Sequence, residues 1–259
     1  MRRLILEEPY SRAAIWSRRL ALLACLVGAG AIAAARLARL DSALSLAALW
    51  GAIALACAAL LAAGAASVVI WRTGRRGVGL VVAAVLLAAL PLAFPSWLAV
   101  KALRLPVLND ISTDLADPPE FSRSAQALAA RGGRIPPAVE PERRQAQRVA
   151  YPNVQPIIVD LDADEAHALL LKVVGALGWR LVEQRPPGQR SGLAHIDAYD
   201  RTLVMGFTDD VTIRIRPLAG QSRIDIRSAS RLGRHDFGAN AKRIAAFAEE
   251  LQAQLDEAK

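Results

Sequence analysis

Three long apolar stretches lie within the first hundred residues, and they constrain the fold more than any other feature of the chain. They cover residues 16–35, 46–70 and 78–100. Because an α-helix rises about 1.5 Å per residue, roughly 20 apolar residues span the hydrocarbon core of a bilayer. The second and third stretches contain no charged residue. The sequence therefore predicts that residues 1–100 form an anchor of three transmembrane helices in a lipid bilayer.

The arginines flanking these spans predict their orientation. Eight arginines lie before or at the beginning of the first span or between the second and third spans, whereas four basic residues lie on the opposite side. Because basic loops tend to remain in the cytoplasm, we expect a multi-pass protein of the bacterial inner membrane with a cytoplasmic amino terminus and a periplasmic carboxyl-terminal domain. A cleaved signal peptide ending near Ala33–Ala35 is the alternative for the first span, and it leaves that domain on the same side.

Charge and composition exclude several function classes. Residues 1–100 carry ten arginines against three acids, whereas the rest of the chain has a net charge of +1. The later domain therefore lacks the basic excess that nucleic-acid binding requires. No acid, lysine or histidine lies within the middle of a span, which argues against a transport path. We find no metal-ligand spacing and no cofactor motif, so neither a metal nor a cofactor is expected.

Residues 101–150 are rich in turn-forming residues and lack a steady hydrophobic period, so we expect an extended linker or a segment that wraps a domain. Asp110, Asp114 and Asp117 do not have the spacing of a calcium loop. We expect them to serve in turns and caps, with arginine partners.

The sequence pattern of residues 151–259 predicts an α+β domain, in which two helices pack on an antiparallel sheet. The first helix has Asp160 or Asp162 as its N-cap, and Gly178 ends it. The apolar stripe of the last helix runs from Phe237 to Leu255, with Arg243 largely off it. Five strands lie between the helices, over residues 179–184, 193–200, 202–207, 211–216 and 222–228.

Alternation along the predicted strands separates a core face from a polar face. Ile213 and Ile215 point to the core, and Arg214, Arg216 and Asp225 point away from it. We expect cross-strand ion pairs in water on the polar face rather than a bound anion. Two further expectations are that Asp209 and Asp210 form a hairpin tip and that His167 lies on the polar side of its helix.

Four motifs carry a resemblance to a known family: "NDISTDLADPPEF", "YPNVQP", "GFTDDVTIRI" and "RSASRLGRHDFGANAKRI". They resemble the domain of unknown function 1499 (DUF1499) family over roughly residues 109–251. The resemblance implies a small exported or membrane-anchored module, and it brings no activity and no catalytic residue.

The last of these motifs, residues 227–244, is the candidate functional site. Its candidate anion-binding or partner-binding residues are Arg227, Arg231, Arg234, His235, Asp236 and Asn240. Asp236 is the expected N-cap of the last helix, whose amino terminus favours an anion. The arginines either bind Asp225 and the acids of "NDISTD" or bind an external anion, and we favour the internal partners.

Three function classes fit this sequence. The favoured one is a non-enzymatic binding or interaction module of the cell envelope, whose partner is an envelope protein or an anionic lipid. The second is a membrane-associated hydrolase or isomerase that uses Arg231, His235 and Asp236, although no hydrolase motif surrounds them. The third is a structural accessory subunit of a membrane complex.

Overall fold

The computed structural model describes residues 9–37, 42–188 and 191–257. The chain divides into two compact units. One comprises Met1–Val100 with Val204–Gly206, and the other comprises Lys101–Leu203 with Phe207–Lys259. The first unit contains the three long apolar helices, and the second is the α+β domain, so the predicted fold class is confirmed.

Three helices form the first unit: α1 (Arg12–Leu37), α2 (Ser42–Thr73) and α3 (Val78–Arg104). Each is long and apolar enough to cross a membrane. Small side chains let the helices approach closely. A Cβ atom on Gly28 would lie 3.5 Å from the Cβ of Ala52 on α2 and 3.9 Å from the Cβ of Pro91 on α3, so the three helices meet at this position.

One end of this helix bundle brings together the residues just before α1 and the loop between α2 and α3. Tyr10 and Arg76 pair in an isolated β-bridge, and the backbone N–H of Ser11 donates to the carbonyl oxygen of Arg76 at 2.9 Å. The guanidinium of Arg76 also lies over the ring of Tyr10. The stretch before α1 and the loop between α2 and α3 therefore lie at the same end.

An antiparallel sheet of six strands forms the centre of the second unit. The strands are β1 (Asp110–Ser112), β2 (Ile157–Val159), β3 (Arg180–Arg185), β4 (Ala194–Arg201), β5 (Thr208–Leu218) and β6 (Gln221–Ser230). Their order is β1-β6-β5-β4-β3, and β2 also pairs with β6. β1 pairs with residues 227–229 of β6 and β2 with residues 222–224, so two short strands share one edge.

Two helices, α6 (Ala163–Ala176) and α7 (Ala239–Glu257), pack on the apolar face of the sheet. Asp162 is the N-cap of α6, because its carboxylate accepts the N–H of Glu165 at 2.8 Å. Gly178 follows the helix with a φ of +70°. Both boundary residues were expected. Trp179 stacks on Phe247 of α7, with ring centroids 5.8 Å apart.

The polar face of the sheet is covered by residues 113–140, which we call the covering segment. It contacts β6 through Thr113, reaches β3 through Gln126 and returns to β6 at Pro137. Short helices lie in and after it, α4 (Ala125–Ala130) and α5 (Pro141–Ala150). The stretch for which we expected a linker or wrapping segment thus also contains one strand and two helices.

Four expectations about the domain are wrong. Residues 202–207 form the loop between β4 and β5, closed by a hydrogen bond from the N–H of Thr202 to the carbonyl oxygen of Phe207. Asp209 and Asp210 lie within β5, because the turn comes earlier. His167 is buried, and burial lowers the pKa of its ring. Arg243 is also buried, because two acids on the sheet face it.

Candidate functional site

Arg227 points from β6 into the covering segment and is bound on several sides. Its Nε and Nη2 donate to the two carboxylate oxygens of Asp110 at 2.9 and 2.6 Å. The same guanidinium donates to the carbonyl oxygens of Pro119 and Pro137. Burial raises the pKa of Asp110, and the ion pair with Arg227 opposes that rise. Asp110 belongs to "NDISTD", so the internal partner expected for Arg227 is confirmed.

Arg231 follows β6 and also has an internal partner, although not the expected one. Its Nε and Nη2 donate to the carboxylate of Asp210 at 2.9 and 2.7 Å. Its guanidinium lies over the ring of Tyr199, 5.8 Å from the centroid. Neither Asp225 nor an acid of "NDISTD" binds Arg231 in the described part of the chain.

Asp236 uses its carboxylate to hold the beginning of α7. Its Oδ1 accepts the N–H of Gly238 at 2.8 Å, and its Oδ2 accepts the N–H of Asn240 at 3.1 Å. Phe237 and Gly238 have φ values of +54° and +81°, so the helix begins at Ala239 instead of directly after the expected cap. The amino terminus of α7 is therefore already occupied by an anionic group of the protein.

Asn240 is fully buried and links α7 to β6 and to the residue before β1. Its Oδ1 accepts from Ser228 Oγ at 2.7 Å. Its Nδ2 donates to the carbonyl oxygen of Asn109 at 3.1 Å and to Ser230 Oγ at 3.0 Å. An asparagine on the apolar side of a helix is stable here because each of its polar atoms has a partner.

Arg243 extends this network and was missed as a site residue. Its Nε donates to Asp200 at 2.9 Å and its Nη2 to Asp209 at 2.8 Å. Burial raises the pKa of Asp209, and Arg243 opposes that rise. The signal that could have identified Arg243 is the facing pair of acids on β4 and β5, which needs a cation nearby.

The remaining two candidates, Arg234 and His235, lie in the loop before α7. His235 Nδ1 accepts the N–H of Phe237 at 3.0 Å, and the two rings stack with centroids 4.5 Å apart. His235 Nε2 is buried without a hydrogen-bond partner among the described residues. Arg234 is exposed, and it makes no ion pair or hydrogen bond within the ranges that the structure describes.

The polar face of the sheet holds a separate cluster of charges around Asp225. This fully buried carboxylate accepts from Arg214, Arg216 and Arg223 at 2.6 to 3.1 Å. Asp114 also binds Arg216 and Arg223. Burial on its own would raise the pKa of Asp114. The N–H of Asp117 and the arginines outweigh this effect, so the pKa lies below its ordinary value. The expected ion pairs are thus confirmed, although they lie under the covering segment rather than in water.

Asp197 on β4 is the centre of another buried group. Arg131 Nη1 and the backbone N–H of Ser122 both donate to its Oδ2 at 2.9 Å. His195 Nε2 lies 2.9 Å from its Oδ1. Burial on its own would raise the pKa of Asp197. Its partners His195 and Arg131 together outweigh this effect, so the pKa lies below its ordinary value.

A cavity of about 300 Å³ opens within the covering segment, and we call it the Arg123 cavity. Its lining residues are Ala116, Asp117, Pro118, Glu120, Phe121, Arg123, Ile135, Pro136, Ala138, Val139, Arg144 and Arg227. A second cavity of about 280 Å³ lies beside Arg148, Tyr151 and Arg223. The Arg123 cavity combines an apolar wall with three guanidinium groups.

Residues 110–251, more than half of the chain, match the family model described as "Protein of unknown function (DUF1499)". No curated protein matches the chain.

Proposed function

The chain belongs to the DUF1499 family of proteins of unknown function, and we propose that it is a binding module of the bacterial cell envelope. In this proposal the three apolar helices anchor the chain in the inner membrane. The α+β domain lies in the periplasm and binds an anionic partner, which is an envelope protein with an acidic surface or an anionic lipid.

The distribution of arginines supports the orientation. Arg76 pairs with Tyr10 at one end of the bundle, and the basic residues at this end include Arg12, Arg18, Arg19, Arg72 and Arg75. Basic flanks stay cytoplasmic, and three crossings then lead to the opposite side. A periplasm-active reporter fused after Lys259 is expected to be active, whereas the same fusion to a cytoplasm-active reporter is expected to be silent. The reverse pattern would refute this orientation.

One observation carries the proposed binding role, namely the exposed guanidinium of Arg234 beside residues that are already bound. Arg227, Arg231, Asp236 and Asn240 bind other parts of the domain and hold this loop in place. Arg234 has no acidic partner among the described residues and is exposed. We therefore assign to Arg234 the contact with an anionic partner, with His235 next to it in the loop.

A hydrolase or isomerase at this loop is less well supported. Both oxygens of Asp236 accept backbone N–H groups, and Arg231 binds Asp210. A general base must lie within hydrogen-bond reach of the proton that it abstracts. Within the described ranges Arg231, His235 and Asp236 make no hydrogen bond with one another.

The experiment reverses the charge at Arg234 and compares the effect with that of the same reversal at another exposed position. A photo-reactive crosslinker is attached to the loop before α7 in the full chain, and crosslinking is carried out in native membranes. The wild type is compared with Arg234→Glu and with Lys172→Glu. Lys172 is exposed on α6 and receives the same charge reversal. We expect Arg234→Glu to lose crosslinked partner at least tenfold while Lys172→Glu retains it.

Equal crosslinking in both variants would refute the assignment to Arg234. The combined variant Arg231→Ala, His235→Ala, Asp236→Ala separates the loop's structural role from a binding role. Loss of folding is expected, because it removes the bonds that hold the loop. If this variant stays folded and loses only its partner, the three residues contact that partner themselves.

A further inference from the structure

We propose that the Arg123 cavity binds a small amphipathic anion, a carboxylate or phosphate monoester attached to a short apolar chain or ring. The inference goes beyond the proposed function and does not depend on the role of Arg234. The site is distinct from the loop that holds Arg234.

The wall of the cavity suits an apolar group. Phe121 is 3% exposed and Ile135 is 40% exposed, so apolar lining extends from a buried ring to an open side chain. Pro118, Pro136, Ala138 and Val139 also line it. Removing apolar surface from water stabilises a complex. A volume of about 300 Å³ lies at the small end of the range for ligand pockets, which selects a short ligand.

Two guanidinium groups of the cavity retain free donors for an anion. Arg144 donates from Nε to the carbonyl oxygen of Val139 and from Nη1 to that of Leu115, which leaves its Nη2 without a partner among the described residues. Arg123 is exposed and has no bonded partner in the described part of the chain. Guanidinium groups recognise carboxylates and phosphates through paired, charge-assisted hydrogen bonds.

The other charges of the cavity are mostly compensated. Arg227 binds Asp110, and Asp117 binds Arg214 and Arg216. Glu120 is the remaining acid of the lining, and it makes no ion pair within the described ranges. Among the described residues, the lining therefore contains two guanidinium groups without an acidic partner and one carboxylate without a basic partner. The cavity thus favours an anion over a cation.

The test uses the full chain in nanodiscs of zwitterionic lipid and three matched photo-reactive probes. The probes are a six-carbon carboxylate bearing a diazirine, the corresponding phosphate monoester and the corresponding neutral alcohol. We expect both anions to label residues of the cavity wall, Phe121, Ile135 or Val139, and we expect the alcohol to label them at least tenfold less. Equal labelling by the alcohol, or labelling elsewhere in the domain, would overturn the proposal.

Variants separate recognition of the anion from folding. Arg123→Gln is expected to reduce labelling at least tenfold without changing the melting temperature, because its side chain supports nothing in the described structure. Arg144→Gln is expected to reduce it similarly. The control is Arg148→Gln on the same helix, because Arg148 is exposed and lines the second cavity. Unchanged labelling in Arg123→Gln and Arg144→Gln would contradict the proposal.

Two further arms identify the source of the anion and separate the two proposals. Protection from labelling in nanodiscs that contain phosphatidic acid, whose headgroup is a phosphate monoester, would indicate a lipid headgroup. Protection only by unlabelled soluble carboxylate or phosphate monoester would indicate a free metabolite. If the probes fail to label the cavity while crosslinking through Arg234 persists, the cavity proposal fails and the proposed function stands. Loss of both signals rejects both.

Discussion

Arg131 and Asp197 form an ion pair in which each side chain is only 1% exposed, with Nη1 and Oδ2 2.9 Å apart. The two residues lie 66 positions apart in the chain. Arg131 follows α4 in the covering segment, and Asp197 lies in β4 on the polar face of the sheet. This pair therefore fixes the covering segment to the middle of the sheet.

Replacing Arg131 with methionine should destabilise the second unit by about 3 to 5 kcal/mol, because it leaves the buried Asp197 carboxylate without its arginine. Pulse proteolysis of the full chain over a urea series measures this change. Arg134→Met is the control, because Arg134 is exposed and its side chain makes one long hydrogen bond within the described ranges. An Arg131 variant as stable as this control would contradict the role of the pair.

The stability that Asp197 contributes should depend on pH below its ordinary pKa of 3.8. The pKa of Asp197 is lower in the folded protein, so its contribution is complete above the unfolded value and is lost as the pH falls through the folded value. Asp197→Asn should therefore be less stable than the wild type at neutral pH. The difference between the urea midpoints of the two proteins should narrow from about pH 4 downwards, and a difference that widens there would be inconsistent with this sign.

Gly238→Ala and Gly175→Ala should change stability in opposite directions. Gly238 has a φ of +81°, and an added Cβ would lie 3.1 Å from Leu105 Cδ1, so alanine should destabilise the domain by about 1 to 2 kcal/mol. Gly175 lies within α6 with nothing within 4 Å of an added Cβ, so alanine should stabilise by about 0.5 to 1 kcal/mol. Melting temperatures of the two variants give the comparison, and a shared sign would refute it.

Asn240→Leu should destabilise the domain by at least about 2 kcal/mol. It removes the acceptor of the buried Ser228 hydroxyl and one donor each to the half-buried Ser230 hydroxyl and the carbonyl oxygen of Asn109. Gln252→Leu is the control on the same helix, since Gln252 is exposed. The urea midpoints of both variants measure the effect. If the two substitutions cost the same, the network around Asn240 does not hold α7 on the sheet.

Features set by neighbouring residues could be predicted from the sequence. The boundaries of α6 follow from Asp162 and Gly178, because an N-cap and a positive-φ glycine act within a few residues of their own position. The three apolar helices follow from the length and the apolar composition of their stretches. By contrast, Phe237 has a φ of +54°, a conformation that non-glycine residues rarely adopt, so the beginning of α7 was placed too early.

Features that depend on distant partners could not be predicted. β1 and β2 have three residues each, too few for an alternation to be recognised. Asp200 and Asp209, the partners of Arg243, face each other only once β4 and β5 pair, so no pattern near Arg243 in the sequence marks them. The internal binding of Arg227 was anticipated because "NDISTD" offered acids, whereas Asp210 as the partner of Arg231 depends on the register between β5 and β6.

The covering segment contains an exposed turn at which the chain could be divided into two pieces. Gly132 and Gly133 form an exposed turn in which both residues have positive φ. The piece before this turn holds Asp110 and Arg131, whose ion-pair partners Arg227 and Asp197 lie in the piece after it. Two polypeptides separated at this turn should therefore reassemble by complementation when they are expressed together, and the turn is a suitable split point for a two-fragment folding reporter.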